Sequence, residues 1–138
     1  MLLEKLLSDL KAALEERSGM SVYLSYDPTP LAQRPAQFVV LGMDCVETDR
    51  PFLTDTDLYY AFIAAVRVTL LAPPETNESH MYSTFFRGIQ SGMLSSGFTM
   101  KSLRSGTPEE VRKLHKMTLF GTFTLSGLMQ MRREEAGV

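Results

Sequence analysis

Leu3, Leu6, Leu7, Leu10, Ala13 and Leu14 recur at spacings of three and four, which predicts an amphipathic helix from about Leu2 to Arg17. The opposite face holds Glu4, Lys5, Asp9, Lys11, Glu15 and Glu16, so this helix lies on a core, and Gly19 follows as its stop. From Met20 to Tyr26 the pattern changes to alternation, a short strand with Val22, Leu24 and Tyr26 on one side. Asp27-Pro28-Thr29-Pro30 breaks it, because each proline fixes φ and removes a backbone donor, and the chain is read as loop to Pro35. Phe38 to Val46, apolar and β-branched, reads as a second strand, and Pro51 marks a turn region beyond it.

Leu58 to Leu71 is rich in Tyr, Phe, Ile and Val; its alanines leave a helix open, but a long strand is preferred. Leu58, Tyr60, Phe62, Ala64, Val66, Val68 and Leu70 share one face, and Tyr59, Ala61, Ile63, Ala65, Arg67 and Thr69 the other. Both faces are mostly apolar, as expected of a central strand or of one covered by a neighbouring subunit. Pro73-Pro74 ends it, Thr76 or Asn77 caps the next helix, and Met81, Tyr82, Phe85, Phe86, Ile89, Met93 and Leu94 carry that helix to about Ser95 with Gly97 as stop. Gly88 and Gly92, four apart, allow another element to approach its backbone closely. Phe98 to Arg104 is a short strand. Thr107-Pro108-Glu109-Glu110 has the capping-box pattern of a helical turn, the alternative being a charged connection between strands. In the last strand Met117, Leu119, Gly121, Phe123 and Leu125 oppose Thr118, Phe120, Thr122, Thr124 and Ser126. The order predicts an α+β domain over residues 1–131, a mainly antiparallel β-sheet with an N-terminal helix and a second helix packed on one face. Residues 132–138 read as a short, charged, mobile tail.

The 138 residues suffice for one core without staples, and the single Cys45 excludes an internal disulfide framework. No apolar run is long enough to span a membrane, and the charged N-terminal helix is unlike a signal peptide; the expectation is a soluble protein, intracellular when made. The formal net charge of −2 disfavours a globally basic nucleic-acid binder. It also hides an asymmetry. Residues 1–97 hold seven bases and twelve acids, a net of −5, while residues 98–138 hold seven bases and four acids, a net of +3. Such a chain suits head-to-tail self-association, with ordinary surface scatter as the alternative.

Chemical motifs are sparse. His80 and His115 lack partners at metal spacing, the acidic run lacks the glycine-centred calcium loop, and Cys45 has no oxyanion-hole sequence beside it and reads as a buried structural cysteine. No glycine pattern cradles phosphate.

The leucine-rich first helix, a strand pair framing an acidic stretch, the long strand Tyr59 to Leu71 ending in Ala72-Pro73-Pro74, a helix ending at Ser95-Ser96-Gly97 and the final strand Thr118 to Gly127 form one series. It resembles the tail terminator (tail completion) proteins of long-tailed bacteriophages and their relatives in prophages and phage-derived particles. The likeness spans nearly the whole chain and lies in element order, length and hydrophobic pattern. It implies a structural protein with no catalysis and no cofactor, made in the bacterial host cytoplasm and placed in the virion tail. Proteins of that family form a ring, commonly a hexamer, and the resemblance implies that this chain does the same, capping the tail tube, ending its polymerisation and contacting the head connector. Implied partners are copies of itself, the tail tube protein, a head-tail connector or sheath protein, and DNA passing through the lumen without sequence-specific binding. Acids suit such a conduit better than bases, which would hold the phosphates. Asp44, Glu47, Asp49, Arg50, Asp55, Asp57 and Arg67 are therefore the candidate lumen or subunit contact, and Lys101, Arg104, Arg112, Lys113 and Lys116 the candidate basic partner segment. Tail tube, head-completion and sheath-associated components share this build. A small α+β ligand-binding or enzyme domain is the reading from another class, its pocket between the second helix and the sheet near Tyr82, Cys45 or His115.

Overall fold

In the computed structural model, which describes residues 2–137 with side chains from Lys5 onward, the leucine stripe forms α1 (Leu2–Ser18). Leu3 and Glu4 of that stripe and its polar face, and the terminal Val138, lie outside the described side chains. Leu6, Leu7, Leu10 and Leu14 are buried while Lys5, Asp9, Glu15 and Glu16 are exposed, as the periodicity requires. Gly19, at φ +69°, ends the helix by donating its N–H to the Glu15 carbonyl at 3.0 Å. The Glu15 carboxylate accepts the Val22 N–H at 3.1 Å, which fixes where the first strand begins.

That strand, β1 (Val22–Leu24), is shorter than its alternation suggests, because the chain turns at once and leaves Tyr26 outside it and exposed. Asp27 organises the turn: its Oδ1 accepts the Thr29 N–H at 2.8 Å and the Thr29 hydroxyl. These hydrogen bonds, the side-chain one first, with Arg34 and Lys11 nearby, hold the Asp27 carboxyl below its ordinary 3.8. A lowered folded-state pKa means the turn has its full stabilisation above pH 3.8 and loses it as pH falls through the lowered value. An NMR titration following the Thr29 amide should therefore show a midpoint below 3.8, and a midpoint at or above it would contradict the assignment. Arg34 closes the same loop over the sheet, with its guanidinium 4.3 Å from the Tyr23 ring centroid and 5.3 Å from that of Phe38.

The sheet consists of two long hairpins side by side. β2 (Phe38–Thr48) and its continuation β3 (Phe52–Leu53) run antiparallel to β4 (Asp57–Ala72). β5 (Thr99–Ser105) and its continuation β6 (Glu109–Val111) run antiparallel to β7 (Lys116–Arg132). β4 and β7 pair along their whole length, from Asp57 opposite Arg132 to Ala72 opposite Met117, and β1 adds in parallel to β2. The order β1-β2-β4-β7-β5 makes a mixed, mostly antiparallel sheet. Sixteen residues of β4 span roughly 50 Å, far more than a typical strand.

Asn77 caps the second helix through its side chain, which accepts the His80 N–H at 2.8 Å. α2 (Glu78–Thr84), a π-helical stretch (Phe85–Gln90) and α3 (Ser91–Leu94) run on as one helix of 17 residues. Met81, Phe85, Ile89 and Met93, each four residues from the next, are all fully buried. Four residues turn an α-helix through about 400°, so a stripe at that spacing drifts off the face, and the wider π turn brings it back onto the sheet. Both helices cover one face, where they meet Ala64, Val66, Val68 and Leu70 of β4 and Leu119, Phe123 and Leu125 of β7. Gly88 and Gly92 meet α1: a Cβ at Gly92 would stand 3.0 Å from the Leu14 Cα, and one at Gly88 3.1 Å from the Ser18 Cβ.

Two local expectations are corrected. Glu109 to Val111 form a strand and no helical turn, because the β7 edge at Lys116, Met117 and Thr118 stands ready to pair with them. Beyond Ser126, β7 runs on to Arg132 and the tail forms α4 (Arg133–Ala136), tethered by the Arg133 N–H to the Thr56 carbonyl at 3.0 Å and by its Nη1 to the Thr54 carbonyl at 3.2 Å.

Candidate functional site

Among the described residues no helix lies over the second face of the sheet. Along β4 the even positions from Phe62 to Leu70 are buried, while Ala61, Ile63 and Arg67 are exposed and Ala65 and Thr69 half-exposed. The strand is central in its sheet, yet only one of its faces is covered. At the end bearing Phe38 and Leu71, the Arg34 loop closes the second face as well, and the Lys116 ammonium donates to the Ala36 carbonyl at 2.7 Å. Toward the opposite end the cover stops.

Residues 44–63 and 126–132 form an arm of three strands, along which the last buried side chain of the core is Phe62. Its apolar side chains include Phe52 at 67% exposure, Leu128 at 68% and Leu53 at 48%, with Val46 and Ile63 also exposed. Phe52 packs on Tyr59, its register partner, at 6.2 Å between ring centroids. Exposed apolar groups gathered on one projection, and not scattered singly, mark a surface that meets another molecule. Sequence reasoning did not single out Phe52, Leu53 or Leu128. The signal available was Phe52-Leu53 as an apolar pair between Pro51 and Thr54, and the alternation through Leu128, Gln130 and Arg132.

The predicted acidic set comes together on this arm. Asp44, Glu47, Asp49 and Arg50 follow one another along β2 and its end, all exposed. Asp55 and Asp57 stand at the hairpin tip, where the Thr54 N–H donates to the Asp57 carbonyl at 2.9 Å and the Thr56 hydroxyl to its carboxylate at 2.8 Å. Arg67 lies further back on the open face, 3.4 Å from Asp44 and 5.1 Å from the Phe120 ring centroid. Both ionic groups are well exposed, so the pair contributes at most about 1 kcal/mol.

The basic set is divided. Lys101 and Arg104 lie on β5 at mid-height, whereas Arg112, Lys113 and Lys116 occupy the turn at the far end of the sheet from the acids. The two halves of the chain are therefore not two electrical poles. β7 carries Arg132 back to stand opposite Asp57, and Arg133 reaches Thr54, so two of the seven C-terminal bases sit within the acidic arm.

Tyr82, Cys45 and His115 do not converge. Cys45 is exposed on the arm, His115 is at the opposite turn with φ +52°, and Tyr82 stacks on Phe86. The reading of Cys45 as a buried cysteine is corrected, because it pairs with Ala65 and shares the open face of the sheet, while the buried Ala64 and Val66 face the helices on the other side. Between the second helix and the sheet, where a pocket would have to open, Met81, Phe85, Ile89 and Met93 fill the space. Among the described residues no group of three or more His, Cys, Asp or Glu side chains gathers in metal-binding geometry. No helix among them is long and apolar enough to cross a membrane. No protein-family model matches the chain, and no curated protein matches it in sequence.

Proposed function

We propose that the chain is a structural subunit of a bacteriophage tail or a phage-derived particle. In this reading copies of it close into a ring, commonly six, that caps the tail tube, ends its polymerisation and meets the head connector. It acts by binding and not by catalysis, and its place is the virion tail. The observation that supports this most is the arm: β4 and β7, 16 and 17 residues long, run on with β3 to an end where Phe52 and Leu53 of β3 and Leu128 of β7 stay exposed among the described residues. A domain of this size has no internal use for strands that outrun its core, whereas a subunit of a ring needs surface to bury against its neighbours. The helices on one face also favour closure. They widen the subunit on that side, so a ring of such wedges turns the open face inward, where Thr122, Thr124 and Ser126 offer passing DNA hydroxyls and few bases.

Light scattering at micromolar concentration is the test. The expected mass is a fixed multiple, near six, of 15.5 kDa. A mass that grows without limit would favour a tail tube component, and a monomer at low salt would contradict the proposal.

A further inference from the structure

We infer that the subunits join edge to edge, with the outer edge of β5 in one copy (residues 99–105) adding as an antiparallel strand to the open outer edge of β2 in the next (residues 42–48). This rests on the ring reading above and specifies how such a ring closes.

Both edges are free at the required place. β1 covers β2 at Val39, Val40 and Leu41, and from Gly42 onward no strand among the described residues lies outside β2. β5 is the last strand on the other side. Each edge is seven residues long and presents unpaired backbone donors and acceptors.

Direction fits as well. β2 and β7 run one way, β4 and β5 the other. A neighbour laid alongside in the same orientation, as cyclic symmetry requires, brings its β2 antiparallel to β5, the arrangement with straight inter-strand hydrogen bonds.

Height fits too, since the register carries a line straight across the sheet. Cys45, Ala65, Thr124 and Ser102 are successive partners, and so are Gly42, Arg67, Thr122 and Arg104. Each outer strand has its single irregularity at the first of these lines, at Asp44 in β2 and at Lys101 in β5. Two copies at equal height therefore set Thr99 level with Glu47, Ser102 with Cys45 and Arg104 with Gly42, so that Lys101 lies between Glu47 and Asp44 and Arg104 lies beside Asp44. A twofold pairing of β5 with β5 would oppose bases to bases, and one of β2 with β2 acids to acids. Charge thus selects the head-to-tail junction, which closes into a ring, over a twofold dimer. The competing use of charges and bulges on edges is to prevent pairing altogether; it predicts a monomer.

The experiment uses the native Cys45 as a reporter. A Ser102→Cys chain, mildly oxidised after assembly, should give a ladder of disulfide-linked oligomers on a non-reducing gel, lost on reduction and absent when Cys45→Ser is added. Light scattering on the same sample separates the two levels. Assembly without the ladder would overturn the edge junction and leave the ring reading standing, and a monomer would overturn both. As a second measurement, Glu47→Lys and the pair Lys101→Glu with Arg104→Glu should each weaken assembly about tenfold or more, and the chain carrying all three should recover most of that loss. Losses that simply accumulate would overturn the junction.

Discussion

Replacing Gly121 by valine is expected to destabilise the fold by roughly 3 kcal/mol, although strand propensity alone favours valine over glycine. The reason is the Phe85 ring. A Cβ at Gly121 would lie 2.6 Å from its Cζ and 3.3 Å from its Cε1, with the Leu103 Cδ1 at 3.1 Å. The ring cannot swing aside, because it is fully buried, stacked on Phe123 at 6.2 Å and flanked edge-on by Phe86 at 5.7 Å. β7 would have to move away from the helix instead. Urea denaturation measures the loss, and a partner variant tests its cause. In a Phe85→Leu background the valine should cost less by about 1 kcal/mol or more, since the two sites share one volume. Strictly additive losses would show that the contact is not the origin.

The contact between the two helices predicts the second large effect. Gly92→Leu should cost about 2–3 kcal/mol even though leucine is the better helix former by nearly 1 kcal/mol. A Cβ there meets the Leu14 Cα and Cδ2 at 3.0 Å and the Ala13 carbonyl at 3.3 Å. Two of these three atoms are backbone, so α1 as a whole must shift, and Leu10 and Leu14 lose their seats. Against the roughly 5–15 kcal/mol that hold a domain together, either change is a large fraction. A gain in stability at Gly92 would mean that propensity, and not helix contact, decides that position.

The parts of the fold that were legible in the sequence are those where burial and periodicity agree. The leucines of α1, the cap at Asn77 and the alternation of β4 all follow from residues that act locally. β6 did not follow, because Thr107-Pro108 with Glu110 suits a helix start as well as it suits nothing else nearby, and only the edge of β7 decides. Nor did the length of β7, since Gly127 resembles a strand end. Its lack of a side chain instead makes room for Phe62, whose ring would stand 2.8 Å from a Cβ there. The odd face of β4 was misleading in an informative way. Tyr59, Ala61, Ile63 and Ala65 look like a second buried face, and they form the open face of a single sheet. A sequence records that a face is apolar and not which chain covers it. Charge was legible by count but not by place, because β7 returns Arg132 and Arg133 to the acidic arm.

In the proposed ring the open arm and the free edges bind other copies of the same chain. Negative-stain electron microscopy of the purified protein tests it most directly. Class averages should show closed rings of one cyclic symmetry with a central channel. Twofold dimers or isolated monomers at the same concentration would contradict it.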